Sequence, residues 1–165
     1  TLREFAAEQL TGPERTALQE RHTDYFLSFA EEVMPLLKKA DQKTHLDRLE
    51  ADHPNFRSVL AHCRQTTGSE DKGLRLVRAL YRFWTLRGHF REGIALTEAL
   101  LAHNPEKQNP VCCANALNSL GIMLRHIGQQ ETARLHMQEA LQIWRELNDL
   151  GGISSALANL GTIAN

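Results

Sequence analysis

The second half of the chain repeats itself at an interval of 40 residues. Shifting the sequence along itself by this interval matches Gly88 with Gly128, and it matches Val77 with Leu117 and with Leu157. A repeat of this length is typical of a supersecondary unit that cannot bury its apolar face alone, so neighbouring units must stack to form a continuous core. The repetition therefore constrains the chain to a linear array of similar units.

Apolar residues recur throughout at the three- and four-residue spacing of a helix, and no stretch alternates as a half-buried strand does. We therefore predict an all-α chain with two helices in each repeat and a tight turn at Gly88 or Gly128. A third unit begins near Gly152 and is predicted to be truncated at Asn165. The predicted helix pairs cover residues 74–87 and 90–103, then 111–127 and 130–147.

The sequence before the repeats predicts shorter, less regular helices. A first helix ends at Gly12, and Pro13 suits the first turn of the next. Pro35 bends or ends that second helix, and Asp52 is placed to cap the start of another. The predicted apolar faces of the first two helices comprise Leu2, Phe5, Ala6 and Leu10, then Leu18, Tyr25, Phe26, Phe29 and Val33.

The run NALNSLGIMLRHIGQQETARLHMQEALQIW resembles a tetratricopeptide repeat. That pattern alternates large, small and turn residues, and the matching positions are Leu117, Leu120, Gly121, Leu124, Gly128, Ala133, Met137, Ala140 and Leu141. Small residues at Gly121 and Ala133 would let two helices approach closely. The preceding unit is a weaker match, because Tyr81 stands in place of a small residue. The resemblance implies a right-handed α-α superhelix of tetratricopeptide-like helical hairpins.

The order of segments along nearly the whole chain resembles the helical sensor region of bacterial multidomain signal-transduction ATPase transcriptional regulators, of the maltose-regulator-like or LuxR-type architecture. Those proteins join a switch ATPase to a winged helix and a tetratricopeptide array, with a DNA-binding or cyclase effector at one end. The segments that carry the resemblance are TLREFAAEQL, RHTDYFLSFAEEV, LDRLEADHPNFRSVLAHC, GLRLVRALYRFWTLRGHFREG and RELNDLGGISSALANLG.

This resemblance implies a division of the chain into three parts. Residues 1–12 would be the terminal helix of an upstream winged-helix domain or a linker, residues 13–68 atypical N-terminal helical repeats, and residues 69–165 tetratricopeptide-like repeats with the last one truncated. The chain begins with Thr1 rather than methionine, which also indicates a fragment. No glycine-rich lysine motif for phosphate binding occurs, so ATP chemistry is not expected in this segment.

Charge and cysteine content favour a cytoplasmic protein without a nucleic-acid or membrane footprint. Lysine and arginine total 19 against 20 aspartate and glutamate residues, which gives a formal net charge of -1. The three cysteines have no metal-ligand spacing, and reduced thiols are expected. No apolar run approaches the roughly 18 residues that a membrane span needs. Direct DNA binding is not expected, because the first helix carries only Arg3 as a cation.

No catalytic, cofactor or metal motif is evident. The eight histidines do not fall in HExxH or HxxxH arrangements, and scattered surface or boundary positions are expected for them. A metal pair of His126 and His136 across the Gly128 turn is a minor alternative. Cys112 and Cys113 at a helix start are expected in the core or idle, the alternative being a thiol pKa lowered by the helix dipole. We predict no enzyme activity.

The candidate binding surface is the concave groove that the resemblance implies along the first helix of each repeat. Three arginines separated by three and four residues share one helical face, and guanidinium groups bind carboxylates or phosphates bidentately. Asparagine amides nearby can bind an extended peptide backbone. The alternative is a solvated, partly salt-bridged face. The candidate groove residues are Arg75, Arg78, Arg82, Asn115, Asn118, Ile122 and Arg125.

Two functional hypotheses follow. The first is a non-catalytic segment of a bacterial transcriptional or signalling regulator that binds a protein, a peptide or a small anionic effector and contacts other domains of its parent chain. The second is a structural scaffold or self-association module without a groove ligand, with homodimerisation through the truncated C-terminal helix. That helix would leave Leu157, Leu160 and Ile163 in need of cover.

Overall fold

Helices account for the regular secondary structure of the computed structural model, which describes residues 11–104 and 108–163. Within these ranges no strand occurs, which confirms the predicted all-α helical-repeat fold. The predicted first helix, with Leu2, Arg3, Phe5, Ala6 and Leu10, lies outside the described residues. The elements are α1 (Gly12–Val33), a 3-10 helix (Met34–Lys38), α2 (Gln42–Ala51), α3 (His53–Gln65), α4 (Glu70–Arg87), α5 (Phe90–Ala102), α6 (Pro110–His126), α7 (Gln130–Glu146) and α8 (Leu150–Gly161).

Helices pack mainly against their neighbours in the chain and against the equivalent helix of the next unit. Helices α4 and α5 form one hairpin, α6 and α7 form the next, and α8 packs on α7. Helix α4 also contacts α6, while α1, α3 and the 3-10 helix cover the other side of α4. None of the described helices is long and apolar enough to cross a membrane.

Both hairpins turn at the glycines that the sequence indicated. Gly88 and Gly128 each have φ of 81°, in the left-handed region that favours glycine. The carbonyl oxygen of Trp84 accepts the backbone N–H of His89, which closes the first turn. The predicted helix boundaries around both turns are confirmed to within a few residues.

Small residues hold the paired helices close together. A Cβ added to Gly121 would lie 2.7 Å from Met137 Cγ and 3.0 Å from the Ala133 carbonyl oxygen. A Cβ on Gly93 of α5 would lie 2.6 Å from the Trp84 ring. The close approach predicted for the second hairpin is therefore present in both hairpins.

The core is continuous from α1 to α7 and is followed by a smaller cluster at the C-terminal end. Trp84, Phe83 and Leu120 are fully buried in the larger cluster. Trp144 lies at the centre of the smaller one, which also contains Ala156 of α8. Each of the two clusters is thus built around a buried tryptophan.

Two local predictions before the repeats are wrong. Leu18 is 48% exposed and Tyr25 is 66% exposed. Leu18 precedes the buried face of α1, which begins at Thr23, and Tyr25 lies beside that face rather than on it. The Asp52 carboxylate does not cap the backbone of α3 but accepts a hydrogen bond of 2.9 Å from the side-chain amide of Asn55.

Candidate binding groove

Arg75 is held by a partner from outside the repeats. Its guanidinium donates to both carboxylate oxygens of Glu31 in α1, at 2.9 and 2.7 Å. The Asp71 carboxylate, one turn earlier in α4, accepts a hydrogen bond from Asn109 instead. Arg75 therefore links α4 to α1 through a bidentate ion pair with Glu31.

Arg78 and Arg82 have neutral partners instead. Arg78 Nη1 donates to Asn115 Oδ1 of α6, and Arg82 Nε donates to the Leu37 carbonyl oxygen at 3.2 Å. Neither guanidinium has an ion pair with a carboxylate in residues 11–104 and 108–163. Their positive charge is thus not neutralised by a direct partner within this part of the chain.

Asn118 does not occupy the exposed groove position that its helical spacing predicts. It is 7% exposed, and its Oδ1 accepts a hydrogen bond of 3.0 Å from Asn159 Nδ2 of α8. The α8 helix packs over this part of α6 and covers it. Arg125 lies at the edge of the same contact and donates to Thr162 Oγ1 at 2.5 Å.

Three adjoining clefts lie along α4, which lines each of them together with the 3-10 helix or with α6 and the C-terminal residues around α8. Their volumes are about 320, 190 and 370 Å³. Tyr81 and Arg82 line the first two, and Arg78 lines both the second and the third. We call this surface the arginine groove, and its lining residues from the predicted set are Arg78, Arg82, Asn115, Ile122 and Arg125.

The arginine groove is positively charged. Lys38 lines the central cleft beside Arg78 and Arg82, and Arg125 lines the adjoining one. Asp149 is a groove carboxylate, but it caps α8 by accepting the Gly152 backbone N–H at 3.0 Å. The chemistry of this surface suits a carboxylate or phosphate group.

A further cavity of about 250 Å³ lies between the repeats on a different set of helices, mainly α5, α6 and α7. Sequence patterns do not reveal it, because its polar residues face each other from helices that are distant in sequence. Its lining residues are Glu98, Leu101, Asn104, Leu117, Leu120, His136 and Glu139.

The cysteines are buried and not disulfide-bonded. Burial raises the pKa of the Cys63 thiol to about 11, and it also raises the pKa of Cys112, with the Asp71 carboxylate acting in the same direction. The alternative of a lowered thiol pKa at the start of α6 is therefore wrong, because desolvation outweighs the helix dipole. Neither Cys112 nor Cys113 is exposed.

The two histidines considered as a metal pair have separate surroundings. His126 stacks on Phe90 with ring centroids 5.1 Å apart, whereas His136 lines the cavity that includes Glu98. Burial lowers the pKa of His126, and the nearby Arg125 charge adds to this effect.

A different histidine cluster forms where α2, α3 and the turn before α5 meet. His53 is buried, contrary to the surface or boundary position expected for histidines. One possible ligand atom from each of Glu50, His53 and His89 lies within 4.8 Å of the others. The sequence offers no motif for this cluster, since its members are separated by up to 39 residues. We call it the histidine cluster.

The sequence is similar to parts of bacterial proteins that are provisionally named as transcriptional regulators. No family model matches it. It is 25% identical over 169 residues to proteins of Mycobacterium bovis and of two strains of Mycobacterium tuberculosis that are provisionally named as HTH-type transcriptional regulators. The alignment covers 98% of this chain but 19% of each relative, so the chain spans about a fifth of their length.

A solved structure supports the fold. The crystal structure of BtubC (BKLC) from P. vanneervenii superposes with a TM-score of 0.58 at 16% sequence identity, covering 88% of this chain and 65% of that one. This likeness concerns the helical fold alone. Taken together, the comparisons show a helical chain that is similar along nearly its whole length to one segment of provisionally named transcriptional regulators.

Proposed function

We propose that this chain is a non-catalytic, tetratricopeptide-like binding segment of a bacterial transcriptional or signalling regulator, and that the arginine groove is its binding site. The observation that carries the proposal is the continuity of the clefts around Arg78 and Arg82 across three helices. The similarity to regulators supports the same assignment. The proposed parts remain an upstream terminal helix at 1–12, atypical repeats at 13–68 and tetratricopeptide-like repeats at 69–165.

The proposed ligand is a protein, a peptide or a small effector that presents an anionic group. Arg78 and Arg82 donate their hydrogen bonds to neutral oxygen atoms, so a carboxylate or phosphate would gain charge-assisted hydrogen bonds there. Arg75 is not part of this proposed contact, because Glu31 already occupies both arms of its guanidinium. The amide of Asn115 becomes available to a peptide backbone when Arg78 turns towards the ligand.

Binding in the arginine groove would act on the packing between repeats. A ligand that spans the clefts contacts α4 of the first hairpin, α6 of the second and α8 beyond it. It therefore favours one relative arrangement of these units. A ligand that binds one arrangement of the repeats more tightly than another stabilises that arrangement. In a larger regulator, this would shift the neighbouring switch ATPase between its conformational states.

The test compares two double variants of equal charge. Arg78→Gln with Arg82→Gln removes two positive charges from the groove, and Arg134→Gln with Arg145→Gln removes two charges from α7, where Arg134 pairs with Glu131. Each protein is immobilised and exposed to a lysate of the native cells, and bound proteins and metabolites are identified by mass spectrometry. A ligand lost at least tenfold from the groove variant and retained by the α7 variant supports the proposal. Equal capture by both variants overturns it.

The exposed face of α8 favours the second candidate, a scaffold that associates with itself. Leu150 is 79% exposed and Leu157 is 50% exposed, whereas Leu160 and Ile163 are already partly covered. Sedimentation of the wild-type chain and of Leu157→Gln measures this directly. A dimer that dissociates in the variant supports self-association, and a monomeric wild-type chain excludes it.

A further inference from the structure

We propose that Glu50, His53 and His89, with Glu92 as the fourth ligand, form a binding site for a divalent transition-metal ion of the Zn²⁺ class. One possible ligand atom from each of the first three residues lies within 4.8 Å of the other two. Glu92 lies beside them, with Oε1 at 3.4 Å from His53 Nε2. Imidazole nitrogens and carboxylate oxygens are common ligands of Zn²⁺ in proteins.

The distances suit a tetrahedral ion. Ligands about 2.0–2.1 Å from a central Zn²⁺ are roughly 3.3 Å from each other in a tetrahedron. His89 Nε2 lies 3.0 Å from Glu50 Oε1 and 3.3 Å from Oε2, and the contact between His53 and Glu92 is 3.4 Å. Each imidazole therefore already lies against a carboxylate at about the ligand spacing of a tetrahedral ion, and side-chain rotations would have to bring Glu92 towards the other three groups.

His53 has an unprotonated ring nitrogen and a fixed ring position, both of which suit a metal ligand. Its Nε2 accepts a hydrogen bond of 3.4 Å from Trp84 Nε1, and since an indole N–H only donates, this nitrogen carries a lone pair. The ring is 5% exposed and packs edge-on against Phe83. A metal ion would replace the indole as the partner of that nitrogen.

The surrounding charges attract a cation. Asp47, Glu50 and Glu92 face two guanidinium groups, those of Arg57 and Arg87, so the cluster with neutral histidines has one excess negative charge. Arg57 contacts both oxygens of Glu92: its Nη2 donates to Oε2 at 2.6 Å and positions the carboxylate, while its Nε donates to Oε1, a hydrogen bond that a metal ion would displace. Residues that orient a ligand in this way strengthen metal binding.

The proposed site joins two parts of the chain. Glu50 and His53 belong to α2 and α3, before the repeats, whereas His89 and Glu92 belong to the turn and first residues of α5. Four protein ligands leave no open position, which is typical of structural rather than catalytic zinc. A bound ion would therefore fasten the N-terminal helices to the first hairpin, at a place separate from the arginine groove.

The experiment titrates chelator-treated protein with ZnCl₂ and measures heat and melting temperature. We expect one ion per chain and a melting temperature that rises with free Zn²⁺. His89→Ala removes a ligand from a half-buried position and is expected to weaken Zn²⁺ binding by at least about 100-fold. His103→Ala is the matched control, because that exposed ring lies at the end of α5. It should bind Zn²⁺ as the wild-type chain does.

Two further measurements distinguish Zn²⁺ binding at this cluster from binding by the cysteines and from a loss of folding in the variant. Glu50→Gln keeps the side-chain shape and should weaken Zn²⁺ binding even if His89→Ala folds poorly. Co²⁺ should give a tetrahedral visible absorption spectrum without a thiolate charge-transfer band, which excludes the cysteines as ligands. The proposal is overturned if the wild-type chain takes up no stoichiometric Zn²⁺, if a thiolate band appears, or if Glu50→Gln binds as tightly as His103→Ala.

Discussion

Gly93 shows how one missing side chain controls the approach of two helices. An added Cβ would meet Met123 Sδ at 2.7 Å as well as the Trp84 ring at 2.6 Å. Trp84 is fully buried and cannot move aside without disturbing its neighbours. We therefore expect Gly93→Ala to lower the free energy of unfolding by about 1–3 kcal/mol, measured by urea denaturation, in spite of the higher helix propensity of alanine.

A matched change is available at the end of α8. Apart from the adjoining residues and the backbone of its own helix, no atom of the described residues lies within 4 Å of a Cβ added to Gly161. Gly161→Ala should therefore leave stability unchanged or slightly improved. Equal effects of the two substitutions would contradict the packing described for the first hairpin.

The buried thiols should be unreactive in the folded protein. The pKa of Cys63 is raised to about 11, so at pH 8 its thiol is ionised in about one molecule in a thousand. Cys112 is shifted in the same direction. We expect a disulfide reagent to modify the native chain only as slowly as it unfolds, and to modify all three cysteines rapidly in denaturant. Fast modification of one native thiol would contradict this burial.

The sequence pattern alone does not predict contacts between residues that lie far apart in the chain. Periodicity placed Arg75, Arg78 and Arg82 on one face, but it could not show that Glu31 lies opposite Arg75, because the two are 44 residues apart. The same limitation concealed the histidine cluster. The position predicted for Asn118 is wrong because the covering residue, Asn159, comes from a different repeat.

At the scale of helices, Leu120 tests the contact between α6 and its neighbours. It is fully buried in the apolar core, so Leu120→Asp places a charge among apolar side chains that cannot solvate it. We expect a loss of more than about 4 kcal/mol and an unfolded chain by circular dichroism.

Leu135→Asp is the control for this change. Leu135 belongs to α7 but is 58% exposed, so an added carboxylate remains in water and the melting temperature should change little. A folded Leu120→Asp variant would mean that the alignment of the repeats is wrong.

The helices themselves were largely predictable, because their boundaries depend on local signals. Gly88 and Gly128 mark the turns, and Pro35 ends α1 as expected. Which residues of α1 are buried could not be predicted from the sequence of that helix alone. Leu18 and Tyr25 continue the apolar spacing, but no described helix packs over them, and they stay exposed.

For the whole molecule, stability should differ between the middle of the array and its C-terminal end. Helix α4 is covered on several sides and buries eight residues, whereas α8 packs mainly on α7 and buries only Ala156. We expect amide hydrogens of α8 to exchange with solvent much faster than those of α4, as measured by mass spectrometry. Similar protection in both helices would indicate that α8 is covered in solution, as in the self-associated alternative.

The glycine turns also bear on how the chain folds. Each joins two helices that follow one another in sequence and pack together, so the search for these native contacts requires closure of only short loops. Either hairpin is able to serve as a nucleus, onto which the next helix adds. A substitution that disfavours the left-handed turn at Gly128 should therefore slow refolding less than expected from its loss of stability, since the Gly88 hairpin offers a second starting point.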